Sequence, residues 1–257
     1  MLTPPEIARS LLAAGESKAR LPLGKMLLLA ILAGAYIALA GVGATAAAVT
    51  VESGSLAKLL SACVFPAGLS MVILAGSELF TGNCLMVMAL LERRITPAQL
   101  LRNWLTVYLG NAVGGAAVAA LAVYSHTASL FGDGLARSMV SIAESKAALG
   151  AGDAFLRGVL CNFLVCLAVW MAAASKRAEE KVIALFFPIL LFVLCGYEHC
   201  VANLYYLPAG AFAAAEYGME TTLTLAGCLK NLAAVTLGNL VGGAALGVGY
   251  RFAYLKE

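Results

Sequence analysis

The chain has 257 residues, 62% of them hydrophobic and 12% charged, with 17 Lys and Arg against 14 Asp and Glu and a formal net charge of +3. A soluble domain carries about 25% charged residues, so this composition excludes a soluble enzyme, a nucleic-acid binder and a disordered chain. A membrane protein remains, and its small net charge carries meaning only when sorted by side of the bilayer.

The first 25 residues carry four basic residues and two acids and hold no apolar run of signal-peptide type. Thr3-Pro4-Pro5-Glu6 followed by Ile7, Leu11 and Ala14 predicts a capped helix with proline in its first turn. Such a helix lies on the cytoplasmic interface or floats as a solvated tail. Beyond it, Leu59–Leu91 and Val182–Ala215 are apolar stretches of 33 and 34 residues, each interrupted only by a single Glu. As straight helices each measures about 50 Å, against a hydrocarbon core of about 30 Å. No polar turn divides either one, so each reads as a span broken by non-helical backbone. Six spans result, near 26–51, 57–91 (broken), 98–125, 154–175, 182–208 (broken) and 222–250. An even count puts both termini on one side, and a cytoplasmic placement gives that side Arg9, Lys18, Arg20, Lys25, Arg93, Arg94, Arg102, Lys176, Arg177, Lys181, Arg251 and Lys256. Only Lys58, Arg137, Lys146, Arg157 and Lys230 fall outside, the asymmetry that the positive-inside rule asks for.

The two halves repeat. Residues 103–115, beginning Asn103 and ending Gly110-Asn111-Ala-Val113-Gly114-Gly115, match residues 231–243 at eight of thirteen positions with an offset of 128. Each break also carries Gly-x-Glu-x-x-x-x-Asn: Gly76, Glu78, Asn83 and Gly196, Glu198, Asn203. Three spans per half force opposite insertion, and inverted repeats with a broken helix in each half are the plan of pores and transporters. The repeated glycines suit close helix approach rather than the pore.

Ionisable residues within spans are functional candidates, and there are three. Glu78 and Glu198 occupy equivalent positions and are expected to accept hydrogen bonds from backbone N–H groups freed by the breaks, with Asn83 and Asn203 as their companions. His199 stands where the first half has Leu79, so it breaks the symmetry. Its ordinary pKa near neutrality suits proton exchange or attraction of an anion; a buried His on a carbonyl is the plain alternative. Thr81, Asn83 and Asn162 are polar groups able to orient the ring, although Asn162 serves equally as a packing hydrogen bond. Lys146 lies in the polar segment 125–152 and by itself reads as a surface lysine. The seven cysteines lack metal-site spacing, and no nucleotide motif is present. No metal and no cofactor is expected, nor an ATP-driven pump.

The segments Gly-Ser-Glu78-Leu-Phe-Thr81-Gly-Asn83, Asn103-Trp…Gly110-Asn111, Cys161-Asn162-Phe-Leu-Val-Cys-Leu-Ala-Val-Trp170-Met and Gly196-Tyr-Glu198-His199-Cys-Val-Ala-Asn203 resemble the formate/nitrite transporter family over essentially the whole chain. The resemblance implies an all-α membrane protein with an aquaporin-like protomer of six helices in two inverted three-helix repeats, the second and fifth broken. It implies a homopentamer with one pore per protomer, passing small monovalent anions of weak acids: formate, nitrite or hydrosulfide. The breaks look closer to the nitrite and hydrosulfide branches than to the formate channels. By matching motif, His199 would be the central pore histidine, with Thr81 and Asn162 beside it. Phe65, Leu69, Leu79 and Phe192 would form hydrophobic constrictions, and Lys146 the vestibule lysine.

One transmembrane channel domain over 1–257 follows, with an interfacial helix in 1–25, repeats in 26–125 and 154–250, an external segment in 126–153 and a cytoplasmic tail in 251–257. The expected location is the inner membrane of a prokaryote, with lipid, the anion and a proton as partners and no nucleic acid. An unpaired anion crosses Phe and Leu rings only at a cost of many kcal/mol, so the expected permeant at the constriction is the neutral acid. A neutral-solute pore is the rival within the class, without an Asn-Pro-Ala pair or pore Arg in its favour. An intramembrane enzyme is the rival outside it; Cys200 is the neighbour of His199, but no third member of a nucleophilic set is apparent.

Overall fold

The computed structural model describes residues 1–255; Lys256 and Glu257, and with them the end of the expected tail, lie outside the described residues. Twelve α-helices and no strands occur among the described residues. Helix α1 is Pro4–Ala19 and α2 is Leu23–Ala48. Next come α3 (Gly54–Val64) and α4 (Pro66–Ala75), which run on as one stretch with Pro66 at the joint. After a non-helical gap follow α5 (Phe80–Asn83), a 3-10 turn at Cys84–Met86, and α6 (Val87–Leu91). Helix α7 is Pro97–Tyr124, α8 Gly134–Ala148, α9 Ala151–Ala173 and α10 Ala178–Leu194. A second gap precedes α11 (Cys200–Glu216), and α12 (Leu225–Tyr254) ends the described chain.

Five stretches are long and apolar enough to cross a bilayer: Leu23–Ala48, Gly54–Ala75, Pro97–Tyr124, Ala151–Ala173 and Leu225–Tyr254. Helix α10, with 17 residues, spans about 25 Å at 1.5 Å per residue. Helix α7 turns Leu101, Leu105, Leu109, Val113 and Leu121 outward, the exposed apolar stripe of a helix that faces hydrocarbon or another apolar surface. The protein is a multi-pass, all-helical membrane protein.

The glycines of the repeat sit where helices touch. A Cβ on Gly114 would lie 2.0 Å from the Ile31 carbonyl oxygen, and one on Gly242 would lie 2.1 Å from that of Val159. Only glycine admits this approach, of α7 to α2 and of α12 to α9.

Three segments are more ordered than their sequence alone shows. The segment 126–153 contains a 15-residue helix, α8, whose Leu135, Ala136, Met139, Val140 and Ala143 are buried. Residues 251–254, expected in a tail, continue α12, and Arg251 reaches Glu92 at 2.7 Å. Helix α1 is no solvated tail: Ile7, Ala8, Gly15 and Ala19 are buried, and the Leu2 N–H donates to the Ala174 carbonyl at 2.7 Å. Its predicted cap is present, with the Thr3 N–H donating to Glu6 Oε2 at 2.7 Å.

Candidate functional site

Both gaps open on a left-handed glycine, Gly76 at φ +79° and Gly196 at φ +69°. This conformation ends each preceding helix cheaply only without a Cβ. Each gap frees backbone groups inside the protein, and those need partners. The partners are Asn111 and Asn239, the asparagines of the repeated Gly-Asn-x-Val-Gly-Gly. Asn111 Oδ1 accepts the Phe80 N–H at 3.0 Å, and its Nδ2 donates to the carbonyls of Ala30 at 2.7 Å and Glu78 at 3.0 Å. Asn239 Oδ1 accepts the Cys200 N–H at 2.8 Å, and its Nδ2 donates to the carbonyls of Gly158 at 2.8 Å and Glu198 at 2.9 Å. Sequence reasoning matched these two residues across the repeat and missed what they do.

The carboxylates therefore have another task, and the expectation that they accept freed backbone N–H groups is corrected. Glu78 takes Lys18 Nζ at 2.7 Å on Oε1 and Asn83 Nδ2 at 2.7 Å on Oε2. Glu198 takes Lys146 Nζ at 2.9 Å on Oε1 and Asn203 Nδ2 at 2.7 Å on Oε2. The amides are in turn held by Asn103 Oδ1 at 2.9 Å and Asn231 Oδ1 at 2.7 Å. A long acidic side chain reaches past the break to an ammonium on the next element, while the asparagine of a neighbouring helix already faces the freed N–H.

Lys18 is the residue the sequence reading passed over. Its signal was present: Ala-Gly-Glu16-Ser17-Lys18-Ala19 parallels Ile-Ala-Glu144-Ser145-Lys146-Ala147 at the same offset of 128. Helices α1 and α8 thus carry one motif, and each brings a lysine to the Glu of one break. The acids of that motif also tie down loops. Glu144 Oε1 accepts the Thr222 N–H at 2.6 Å and the Thr221 hydroxyl at 2.9 Å. Hydrogen bonds from the Thr222 backbone and the Thr221 side chain hold the Glu144 carboxyl below its usual range.

Two cavities adjoin the breaks. One, of about 360 Å³, is lined by Leu11, Lys18, Leu69, Glu78, Leu79 and Lys181, among others. The other, of about 350 Å³, is lined by Lys58, Phe65, Lys146, Arg157, Phe192 and His199, among others. The four expected constriction residues are buried and divide by cavity: Leu69 and Leu79 border the first, Phe65 and Phe192 the second. Phe65 and Phe192 meet edge to face with centroids 5.6 Å apart, and Phe192 stacks on the His199 ring at 5.8 Å.

Between the cavities the two break segments meet through a side-chain hydrogen bond. His199 Nε2 and Thr81 Oγ1 are 2.9 Å apart, both residues buried. On the other side of the ring, His199 Nδ1 accepts the Ala202 N–H at 3.1 Å and so caps α11. Nδ1 therefore carries no proton, and the neutral ring holds its hydrogen on Nε2, pointing at the Thr81 hydroxyl. Of the three expected orienting groups only Thr81 touches the ring. Asn162 Nδ2 donates to the Thr81 carbonyl at 3.2 Å and the Asn239 carbonyl at 2.7 Å, which positions Thr81. Asn83 is committed to Glu78 and Asn103. Among the described residues no group of three or more His, Cys, Asp or Glu is placed to hold a metal ion.

Comparison with known proteins gives the family. A family model described as formate/nitrite transporter matches residues 5–253. The chain belongs to the formate/nitrite transporter family. Among relatives, it is 38% identical to a probable formate transporter of Methanothermobacter thermautotrophicus over 99% of this chain and 98% of that protein. It is 40% identical to the formate channel FocA of Haemophilus influenzae over 86% of this chain and 83% of that one. Among solved structures, an FNT family ion channel superposes with a TM-score of 0.87 at 33% identity, covering 96% of this chain and 98% of that one. A pentameric formate channel with formate bound superposes with a TM-score of 0.80 at 32% identity, covering 91% and 98%. The relatives of this formate/nitrite transporter family member are thus named as transporters and channels.

Proposed function

We propose that the chain is a channel for small monovalent weak-acid anions, with formate ahead of nitrite or hydrosulfide because its named relatives are formate transporters and channels. The observation that carries this reading is the Thr81–His199 hydrogen bond placed between two apolar pairs, each bordering a cavity that holds a lysine–glutamate pair. The six-span inverted repeat is completed by α10 with α11, and the mirrored asparagine networks of the two breaks support it. A homopentamer is inferred from the pentameric neighbour. In a prokaryotic inner membrane with cytoplasmic termini, the Lys18 cavity opens inward and the Lys146 cavity outward.

The mechanism follows from the tautomer. An anion replacing Thr81 at the Nε2–H receives a charge-assisted hydrogen bond, and its charge offsets that of a second proton arriving at Nδ1 from water. That proton displaces the Ala202 cap. The Nε2 proton leaves with the anion, and on influx the neutral acid crosses Leu69 and Leu79 without the cost of an unpaired charge. The ring ends neutral and the cap re-forms once the remaining proton returns to Nε2.

The test is formate influx into proteoliposomes of the purified chain across the imidazole range, about pH 5.5 to 7.5, with chloride as the control. Expected is a flux that rises toward acid and excludes chloride, and that loses its pH dependence in His199→Phe. Native pH dependence in that variant removes the ring from the mechanism. Absence of weak-acid flux in the unaltered chain overturns the reading.

A further inference from the structure

The two cavities differ in charge. Lys18 and Lys181 face Glu78 in one, whereas Lys58, Lys146 and Arg157 share the single carboxylate Glu198 in the other. In the second cavity Lys146 is already committed. Its Nζ lies 2.9 Å from Glu198 Oε1, its side chain is 15% exposed, and it sits 5.4 Å over the Tyr206 ring. An ammonium held against a carboxylate presents little net charge to a third ion. Lys58 and Arg157 are both exposed, and neither has an ion-pair partner among the described residues. Both border the segment that carries His199: Lys58 Nζ is 3.9 Å from where a Cβ on Gly196 would be, and the Arg157 carbonyl accepts the Glu198 N–H at 3.3 Å.

We propose that Lys58 and Arg157, rather than Lys146, form an anion-docking site at this mouth, built for a small carboxylate. The guanidinium supplies the discrimination, since its planar fork binds the two oxygens of a carboxylate at once and gains nothing comparable from a spherical halide. Lys58 supplies a compact charge whose pull does not depend on the anion's shape. The Ser141 hydroxyl on the same wall takes over part of the anion's hydration before Phe65 and Phe192, while the Ser61 and Ser145 hydroxyls donate to the carbonyls of Ala44 and Ser141. Lys146 then serves to keep Glu198 paired, so that this carboxylate does not repel the incoming ion.

This inference rests on the channel reading, and the experiment separates the two. Formate KM for influx is measured in proteoliposomes at low and physiological salt for the unaltered chain, Lys58→Met, Arg157→Met, the double variant and Arg157→Lys. Each lost charge should raise KM about threefold, the weight of a unit charge about 6 Å away in a water-like dielectric. The double variant should also lose most of the salt dependence, because the field being screened is gone. Arg157→Lys should keep the salt dependence and let chloride compete more strongly. Ser141→Asp leaves both cations in place and adds a carboxylate to the rim, so it should raise KM in the same direction and covers the case in which a cation variant does not fold. A double variant with the native KM and salt dependence, or Ser141→Asp without effect, overturns the site. No flux in the unaltered chain overturns the channel reading instead.

Discussion

The two breaks share one scaffold and differ in what they place at its centre. Each has a left-handed glycine, a carboxylate held between a lysine and an asparagine, and an asparagine from a neighbouring helix bonded to the freed backbone. Where the second break has His199 the first has Leu79, and where the first has Thr81 the second has Val201. The central hydrogen bond is therefore made at two of the five positions where the breaks differ, with one residue from each half. After the gap the halves also diverge, with 17 unbroken helical residues in α11 against the short α5, a 3-10 turn and α6. Duplicated polar networks hold the breaks open, and the Thr81–His199 hydrogen bond is made where those duplicates differ.

The most severe test of that comparison is removal of the shared asparagines. Asn111→Ala and Asn239→Ala each strand one buried N–H and the gap carbonyl of Glu78 or Glu198, at about 1–3 kcal/mol per unsatisfied group. Both should fail to give a stable protein in detergent by thermal denaturation. A mild effect at one site and collapse at the other would break the equivalence of the halves. Of intermediate size is truncation of the lysines. Lys146→Met leaves Glu198 buried without its cation and should cost about 3 kcal/mol or somewhat more. Lys18→Met should cost less, because Lys18 is 30% exposed where Lys146 is 15% exposed and water partly replaces it. Melting temperatures of the two variants in the reverse order would mean that exposure does not set the difference.

The smallest effect concerns the loop joining α11 to α12. Glu144 has a lowered pKa in the folded chain, so its contribution to loop order is complete above the unfolded carboxylate pKa. It is lost only as pH falls through the lowered folded value. Hydrogen exchange at residues 221–223 should thus stay slow from neutral pH into the ordinary carboxylate range. Glu144→Gln should speed it at neutral pH without altering the breaks. Equal exchange in both proteins would show that the threonine hydrogen bonds do not order the loop.

Much of the site was legible in the chain because its cost is visible there: Glu78, Glu198 and His199 stand out as ionisable residues in apolar stretches. The glycines and asparagines of the repeat stood out as matches, yet their tasks were not readable. A matching Asn announces a buried amide but not which backbone, 30 to 80 residues away, it completes. Helix α1 was read as an interfacial appendage since nothing in its amphipathic pattern names a partner. Only the Glu-Ser-Lys-Ala shared with α8 pointed to one.

Composition, span lengths and the repeat at 128 residues by themselves determined a helical membrane protein with two broken segments and an asymmetric histidine. Those features follow from local physics, the cost of charge and of unpaired backbone in hydrocarbon. Tertiary structure alone decided that Lys18 and Lys146 are spent on the break carboxylates, that Asn162 serves Thr81 rather than the ring, and that His199 carries its proton on Nε2. Each of these depends on which donor arrives first at a given acceptor across helices distant in sequence, and periodicity and residue type do not encode that competition.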